Sequence, residues 1–234
     1  MNWPDKQSNE HYQKLYPFQD EILTLVDGSG LLFYLGGGTA LSRFYYNHRY
    51  SDDLDFFTLE GVDFIGSVQE LQEKLEDNGY QVSIFGFSRN FARFSITGAG
   101  KFPGLQLKTD FIRPRQGAHI GEFKSASLFS RIDNPGNILA EKLSYIHKKF
   151  SKDIADIWVI CKHLSFHWEE VLAETTRKRT VDPLFIAEIL SRFPARELDH
   201  VSWIKPIRVE DFERDREIII KNIITKEHNQ LAGS

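Results

Sequence analysis

A chain of 234 residues with a net charge of −4 fits one large domain or two small ones and offers nucleic acid no global attraction. Its 41% hydrophobic residues, with 19 Phe and 4 Trp, supply an aromatic-rich core and exclude disorder as the overall state. A single cysteine, Cys161, makes no internal disulfide, residues 1–10 are polar, and no run reaches the ~18 apolar residues of a membrane span, so a cytoplasmic protein without membrane contact is expected.

In chain order, a loose leader over residues 1–10 is followed by apolar side chains at helical spacing (Leu15, Phe18, Ile22, Leu25). They predict a helix over 12–26, stopped by Gly28-Ser29-Gly30. Residues 31–35 read as a short buried strand, broken by Gly36-Gly37-Gly38, and 39–46 as a helix starting straight after the glycines. A second strand is expected at 54–59 and a helix at 65–78, ended by Gly79. Strand-like segments follow at 81–87, 91–97 and 105–112, the first two closing as a hairpin around Ser88-Arg89-Asn90. After about Ser125 the texture turns helical, with helices expected at 138–148 (after Pro135-Gly136), 153–163, 168–176, 183–192 and 211–224. The helix at 153–163 places Ile154, Ile157, Ile160, Cys161 and Leu164 on one buried stripe. The implied division is an α/β half, residues 1–124, and a helical half, residues 125–234.

Three groups of residues carry chemistry. Gly36-Gly37-Gly38-Thr39, between strand and helix, lets the backbone approach an anion at a helix start, with Thr39 adding a hydroxyl; equally it reads as a turn that merely needs glycine. It lacks the lysine of a phosphate-binding P-loop and the spacing of a dinucleotide fingerprint. On a strand, Asp53 and Asp55 share a face, and two such carboxylates repel unless a cation lies between them; hard oxygen ligands suit Mg²⁺ with a substrate's phosphates. The plainer alternative is a solvated acidic strand start. Asp110 lies in an apolar strand, where an unpaired carboxylate is costly. It is either a third metal ligand and general base or the partner of Arg93 or Arg113. His48 and Arg49 precede the acidic strand and read as phosphate contacts, as a cap on the active loop, or as a surface turn. Basic residues gather at Arg113/Arg115, Lys148/Lys149 and Arg177-Lys178-Arg179, either as an RNA track or as solvated faces. His163 and His167 have metal-like spacing but no third ligand, so zinc is rejected.

The order glycine turn, helix, Asp-x-Asp, distant Asp resembles the nucleotidyltransferase superfamily. More closely, Gly37-Gly38-Thr39-Ala40-Leu41 with His48-Arg49-Tyr50-Ser51-Asp52-Asp53-Leu54-Asp55-Phe56-Phe57 resembles the first motif of the AbiEii/AbiGii toxin family of abortive-infection and toxin–antitoxin systems. That family's later signature is similar to Glu141-Lys142 followed by Lys152-Asp153-Ile154-Ala155-Asp156.

The resemblance implies an α+β fold, a nucleotidyltransferase-like mixed-sheet core followed by a C-terminal helical bundle that completes an NTP cleft. It implies Gly37, Gly38 and Thr39 at the triphosphate, Asp53, Asp55 and Asp110 on Mg²⁺, and Lys142 neutralising phosphate charge. Asp153 and Asp156 would orient that lysine or contact the nucleotide. The activity implied is transfer of NMP from an NTP to a hydroxyl, with tRNA as acceptor, in a toxin restrained by an antitoxin protein. An antibiotic-modifying nucleotidyltransferase shares the same motif logic, and a silent, partner-binding member of the fold is the non-enzymatic alternative.

Overall fold

In the computed structural model, which describes residues 6–115 and 119–233, the first helix (α1, Lys6–Gly28) begins well before residue 12. The leader expected over residues 1–10 is therefore helical from Lys6, and residues 1–5 lie outside the described residues. Glutamine, lysine and glutamate are good helix formers, and they extend a helix anchored by the buried Tyr12, Leu15, Phe18, Ile22 and Val26.

Five strands follow: β1 (Phe33–Gly36), β2 (Leu54–Thr58), β3 (Gln81–Phe87), β4 (Phe91–Thr97) and β5 (Gln106–Ile112). They form one mixed sheet in the order β1-β2-β5-β4-β3, with β2 and β5 parallel and the other pairs antiparallel. The β3–β4 hairpin closes where expected, Ser88 N–H donating to the Phe91 carbonyl at 2.8 Å. Pleating sends Phe33, Leu35, Phe56, Phe94 and Phe111 to one face, all fully buried; each such ring contributes about 1.5–3 kcal/mol of burial free energy.

The glycines end β1 where expected, and the helix after them opens at Gly37, two residues before the expected 39. Gly36 ends the strand, and Gly37 opens a short helix (α2, Gly37–Leu41) that widens into a π-helical turn at Ser42–Tyr46. A longer helix, α3 (Phe64–Asp77), is capped by the Asp63 carboxylate accepting from Gly66 N–H.

The rest is helical: α4 (Pro135–Ser144), α5 (Ser151–His163), α6 (Trp168–Lys178), α7 (Pro183–Arg192) and α8 (Val209–Thr225). Helix α4 starts three residues before the expected 138, because Asn134 caps it and proline suits a first helical position. It also stops earlier, and residues 146–148 form a separate tight turn ending at left-handed Lys149. Residues 154–161 of α5 are all buried, not one stripe of them. Helices α2, α4 and α8 pack around this helix, so its buried run is apolar apart from Asp156 rather than confined to one stripe. Residues 131–133 run beside β1, Asp133 N–H donating to the Leu35 carbonyl at 2.8 Å, which brings the start of α4 to the sheet.

Candidate active site

The strand register places Gly36, Asp55, Asp110 and Arg93 side by side across β1, β2, β5 and β4, on the sheet face opposite the phenylalanines. In the next row the same face carries Tyr34, Phe57 and Ile112, with the Tyr34 and Phe57 rings stacked at 5.2 Å.

Each glycine is required by what it touches. Gly37 has φ +64, and a Cβ there would lie 2.1 Å from Asp55 Oδ2; a Cβ on Gly38 would lie 2.0 Å from Arg49 Nη2. The turn is thus built against the acid and its neighbouring arginine. Gly37→Ala is expected to lose about 1–3 kcal/mol of stability. By displacing Asp55 it should also cost roughly 100-fold in activity. Wild-type turnover in a folded alanine variant would show that the close approach is idle. Thr39 is fully buried, and its hydroxyl bonds to Ser51 Oγ at 2.8 Å and to the Asp53 carbonyl. It fixes the strand carrying the acids.

The three sequence-predicted acids come together. Lys108, two residues from Asp110 on β5, sits 2.6 Å from Asp53 Oδ2 and 4.0 Å from Asp110 Oδ2. Arg93 binds both Asp110 oxygens at 2.7 Å, which realises the arginine pairing weighed for that residue. Burial works against the charge on Asp53, but Lys152 at 3.7 Å and Lys108 more than offset it, and its pKa falls below the usual value. Asp55 has the opposite fate. Burial first, then the Asp53 and Asp110 charges, raise it to about 7, with Lys152 and Lys142 only partly compensating. A carboxyl raised in this way beside two others is one that a cation would hold ionised.

Asp156 organises the opposite wall. It is 0% exposed and receives His48 Nε2 at 2.7 Å, Arg49 Nε and Nη2 at 2.7 and 2.8 Å, and Lys142 Nζ at 2.7 Å. Burial opposes its charge, yet Arg49 and Lys142 hold its pKa well below the ordinary range. Of the two roles expected for Asp156, orienting Lys142 is the one this packing fits, with both of its oxygens engaged inside the protein. His48 and Arg49 are buried and so form no surface turn; with Arg49 packed against Gly38, they fit the reading as a cap on the active loop. Asp153, partly exposed, takes the second Lys142 bond at 2.7 Å. Burial disfavours the Lys142 charge, but Asp156 and Asp153 outweigh it and keep the ammonium protonated.

Between these walls lies a cleft of about 220 Å³, lined at one end by Gly37, Asp55, Lys142 and Asp153 and elsewhere by Tyr34, Phe57, Ile112, Asn137, Tyr145 and Lys148 among others. Of the three acids Asp55 lines it, with Asp110 beside Asp55 across the strand pair and Asp53 two residues before it. Among the described residues no three carboxylates, imidazoles or thiolates converge closely enough to cage a metal alone. The acids form an open, hard-oxygen face instead. With Asp55 pressed under Gly37, that face fits a divalent cation whose remaining ligands are phosphate oxygens and water.

Sequence reasoning missed Lys108, Asn137 and the internal role of Lys178. Lys108 was findable as the i−2 neighbour of Asp110 on one strand face. Lys178 follows Trp168, Val171, Leu172 and Thr175 on the buried face of α6, and it is 7% exposed, which removes it from the predicted basic surface run.

No curated protein sequence matches the chain. Among solved structures it is similar to JHP933 from Helicobacter pylori, at 18% identity over 92% of this chain and 93% of that one, with a TM-score of 0.59. It is also similar to MenT4, a nucleotidyltransferase toxin from Mycobacterium tuberculosis, at 17% identity over 90% and 82%, TM-score 0.66. These likenesses extend the nucleotidyltransferase fold over nearly the whole chain. The model for the nucleotidyl transferase AbiEii toxin of type IV toxin–antitoxin systems matches residues 25–233, from the end of α1 past the last helix, and the chain belongs to that family of nucleotidyltransferase toxins.

Proposed function

We propose that the protein transfers a nucleoside monophosphate from Mg²⁺-bound NTP to a hydroxyl of tRNA, as a cytoplasmic toxin held in check by an antitoxin protein. The observation that carries this reading is Asp55, raised to about 7 between Asp53 and Asp110, beneath Gly37 and beside the Lys142 wall. In this reading Gly37 and Gly38 admit the triphosphate, and Lys142, held by Asp153 and Asp156, faces its negative charge. Asp53 and Asp55, with Asp110 alongside, hold the metal, which when bound screens the charge developing on the phosphoryl oxygens. The acceptor oxygen bonds to the α-phosphorus as the bond to pyrophosphate breaks. Asp110, fixed by Arg93, is placed to receive the hydroxyl proton. The helical half, from about residue 125, supplies Lys142 and closes the cleft.

A cationic rim favours RNA over a polycationic antibiotic as acceptor. Lys148 and Arg179 lie over the ring of the cleft-lining Tyr145, at 4.8 and 5.6 Å from its centre, and gather positive charge there. The test is incubation with Mg²⁺, each α-³²P-labelled NTP and total tRNA, beside Asp53→Ala/Asp55→Ala. Label on tRNA with wild type only is expected. Metal-dependent NTP binding without labelled tRNA would move the acceptor elsewhere, and loss of NTP binding would end the enzymatic reading for this chain.

A further inference from the structure

The cleft contains a second polar cluster, on the α4 side of the glycine turn. Asn137, 4% exposed, lines it among Tyr34, Phe57, Ile112 and Ile138. Lys178 Nζ donates to Asn137 Oδ1 at 2.7 Å, and Asn137 Nδ2 donates to Asp133 Oδ2 at 2.8 Å. Both partners are themselves fixed: Asp133 accepts from Asn134 N–H at 2.8 Å, and Lys178 lies 3.7 Å from Glu141 Oε2. Rotating the amide by 180° would set its NH₂ against an ammonium and its oxygen against a carboxylate, so the amide cannot flip. One lone pair on Oδ1 and one hydrogen on Nδ2 remain, an acceptor and a donor side by side in a fixed order.

We infer that Asn137 reads the base of the bound NTP, separating amino bases (ATP, CTP) from keto bases (GTP, UTP). Adenine and cytosine present an amino donor beside a ring-nitrogen acceptor. Guanine and uracil present a carbonyl acceptor beside a ring N–H donor, the mirrored order. The Tyr34 and Phe57 rings, stacked on each other, and Ile112 give the cleft an apolar wall beside the amide, and a rigid amide matches one of the two orders at a base's edge. A wrong base leaves buried donors and acceptors facing their own kind, which discriminates more strongly than a difference in apolar fit. Asn137 touches substrate in this scheme, whereas Lys178 and Asp133 are positioning residues.

The inference rests on the reading of the cleft as an NTP site, and the test separates the two. Dissociation constants for the four Mg²⁺-NTPs and for tripolyphosphate are measured by titration calorimetry on wild type, Asn137→Ala and Lys178→Met, each checked by thermal unfolding. Roughly tenfold or more between the amino and keto pairs is expected for wild type. Both variants should shrink that gap to within about threefold, Ala by removing the amide and Met by letting it turn, with tripolyphosphate binding unchanged. Should Lys178→Met fail to fold, Asn137→Ser supplies the second variant. A base-indifferent wild type, or variants that weaken all four NTPs and tripolyphosphate alike, would overturn the inference while leaving the NTP site standing. A wild type that binds neither NTP nor tripolyphosphate would remove the NTP site itself, and the inference with it.

Discussion

Asp55→Asn is expected to abolish nucleotidyl transfer while making the metal-free protein more stable. Loss of a metal ligand and its charge at the reacting phosphate is worth several kcal/mol, so turnover should fall by at least about 1000-fold. The gain in stability has a separate cause. Burial and the Asp53 and Asp110 charges raise Asp55 from 3.8 to about 7, against the pull of Lys152 and Lys142. The protonated form is therefore favoured in the folded state. Its contribution is complete below pH ~4 and is lost as pH rises through about 7. Wild type without metal should thus weaken between pH 5 and 8, by on the order of 1–4 kcal/mol. The asparagine variant lacks that loss and should unfold some 2–8 °C higher at pH 8. Excess Mg²⁺ should restore wild type at pH 8 and help the variant little, because only the carboxylate pair binds it well. Calorimetric scans at both pH values, with and without Mg²⁺, read all of these effects. An asparagine variant less stable than wild type at pH 8 in chelator would refute the crowded-carboxylate account, and one that still transfers nucleotide would remove Asp55 from the metal site.

Asp156→Ala should do the opposite, destabilising the protein from a fully buried position. Removing the carboxylate leaves Arg49 buried without its ion partner and Lys142 with Asp153 alone, with His48 losing its partner as well. Breaking one side of a buried ion cluster costs about 3–5 kcal/mol. With a urea slope of about 2–3 kcal/mol/M, the unfolding midpoint should drop by about 1–2 M. The pKa of Asp156 lies well below 3.8, so this stabilisation is present throughout the neutral range and is lost only in strong acid. Removing one of these cations as well, in Lys142→Met/Asp156→Ala, should recover part of the loss. A midpoint within about 0.3 M of wild type would show the cluster to be dispensable.

These two residues mark the limits of the sequence. Asp53 and Asp55 stand in a short motif whose spacing alone puts them on one side of a strand, and the glycines before them announce a tight approach. Local periodicity also gave the hairpin, the crossover helix α3 and the helical second half. All of this depends on interactions between near neighbours, which a linear pattern records.

Asp153 and Asp156 look equivalent in the sequence, three residues apart on one helix. Only the packing of α5 separates them, because it buries Asp156 against His48 and Arg49 from more than 100 residues away while Asp153 stays at the cleft. The same holds for Lys178, which is part of a basic run in the chain but a clamp on Asn137 in the fold. The sequence by itself determined the fold class, the glycine turn and the acids, because those rest on backbone geometry and residue spacing. Which charges are buried, which are paired and which face the cleft was decided by tertiary structure, since the energy of a charge depends on distant neighbours that displace water and supply the counter-charge.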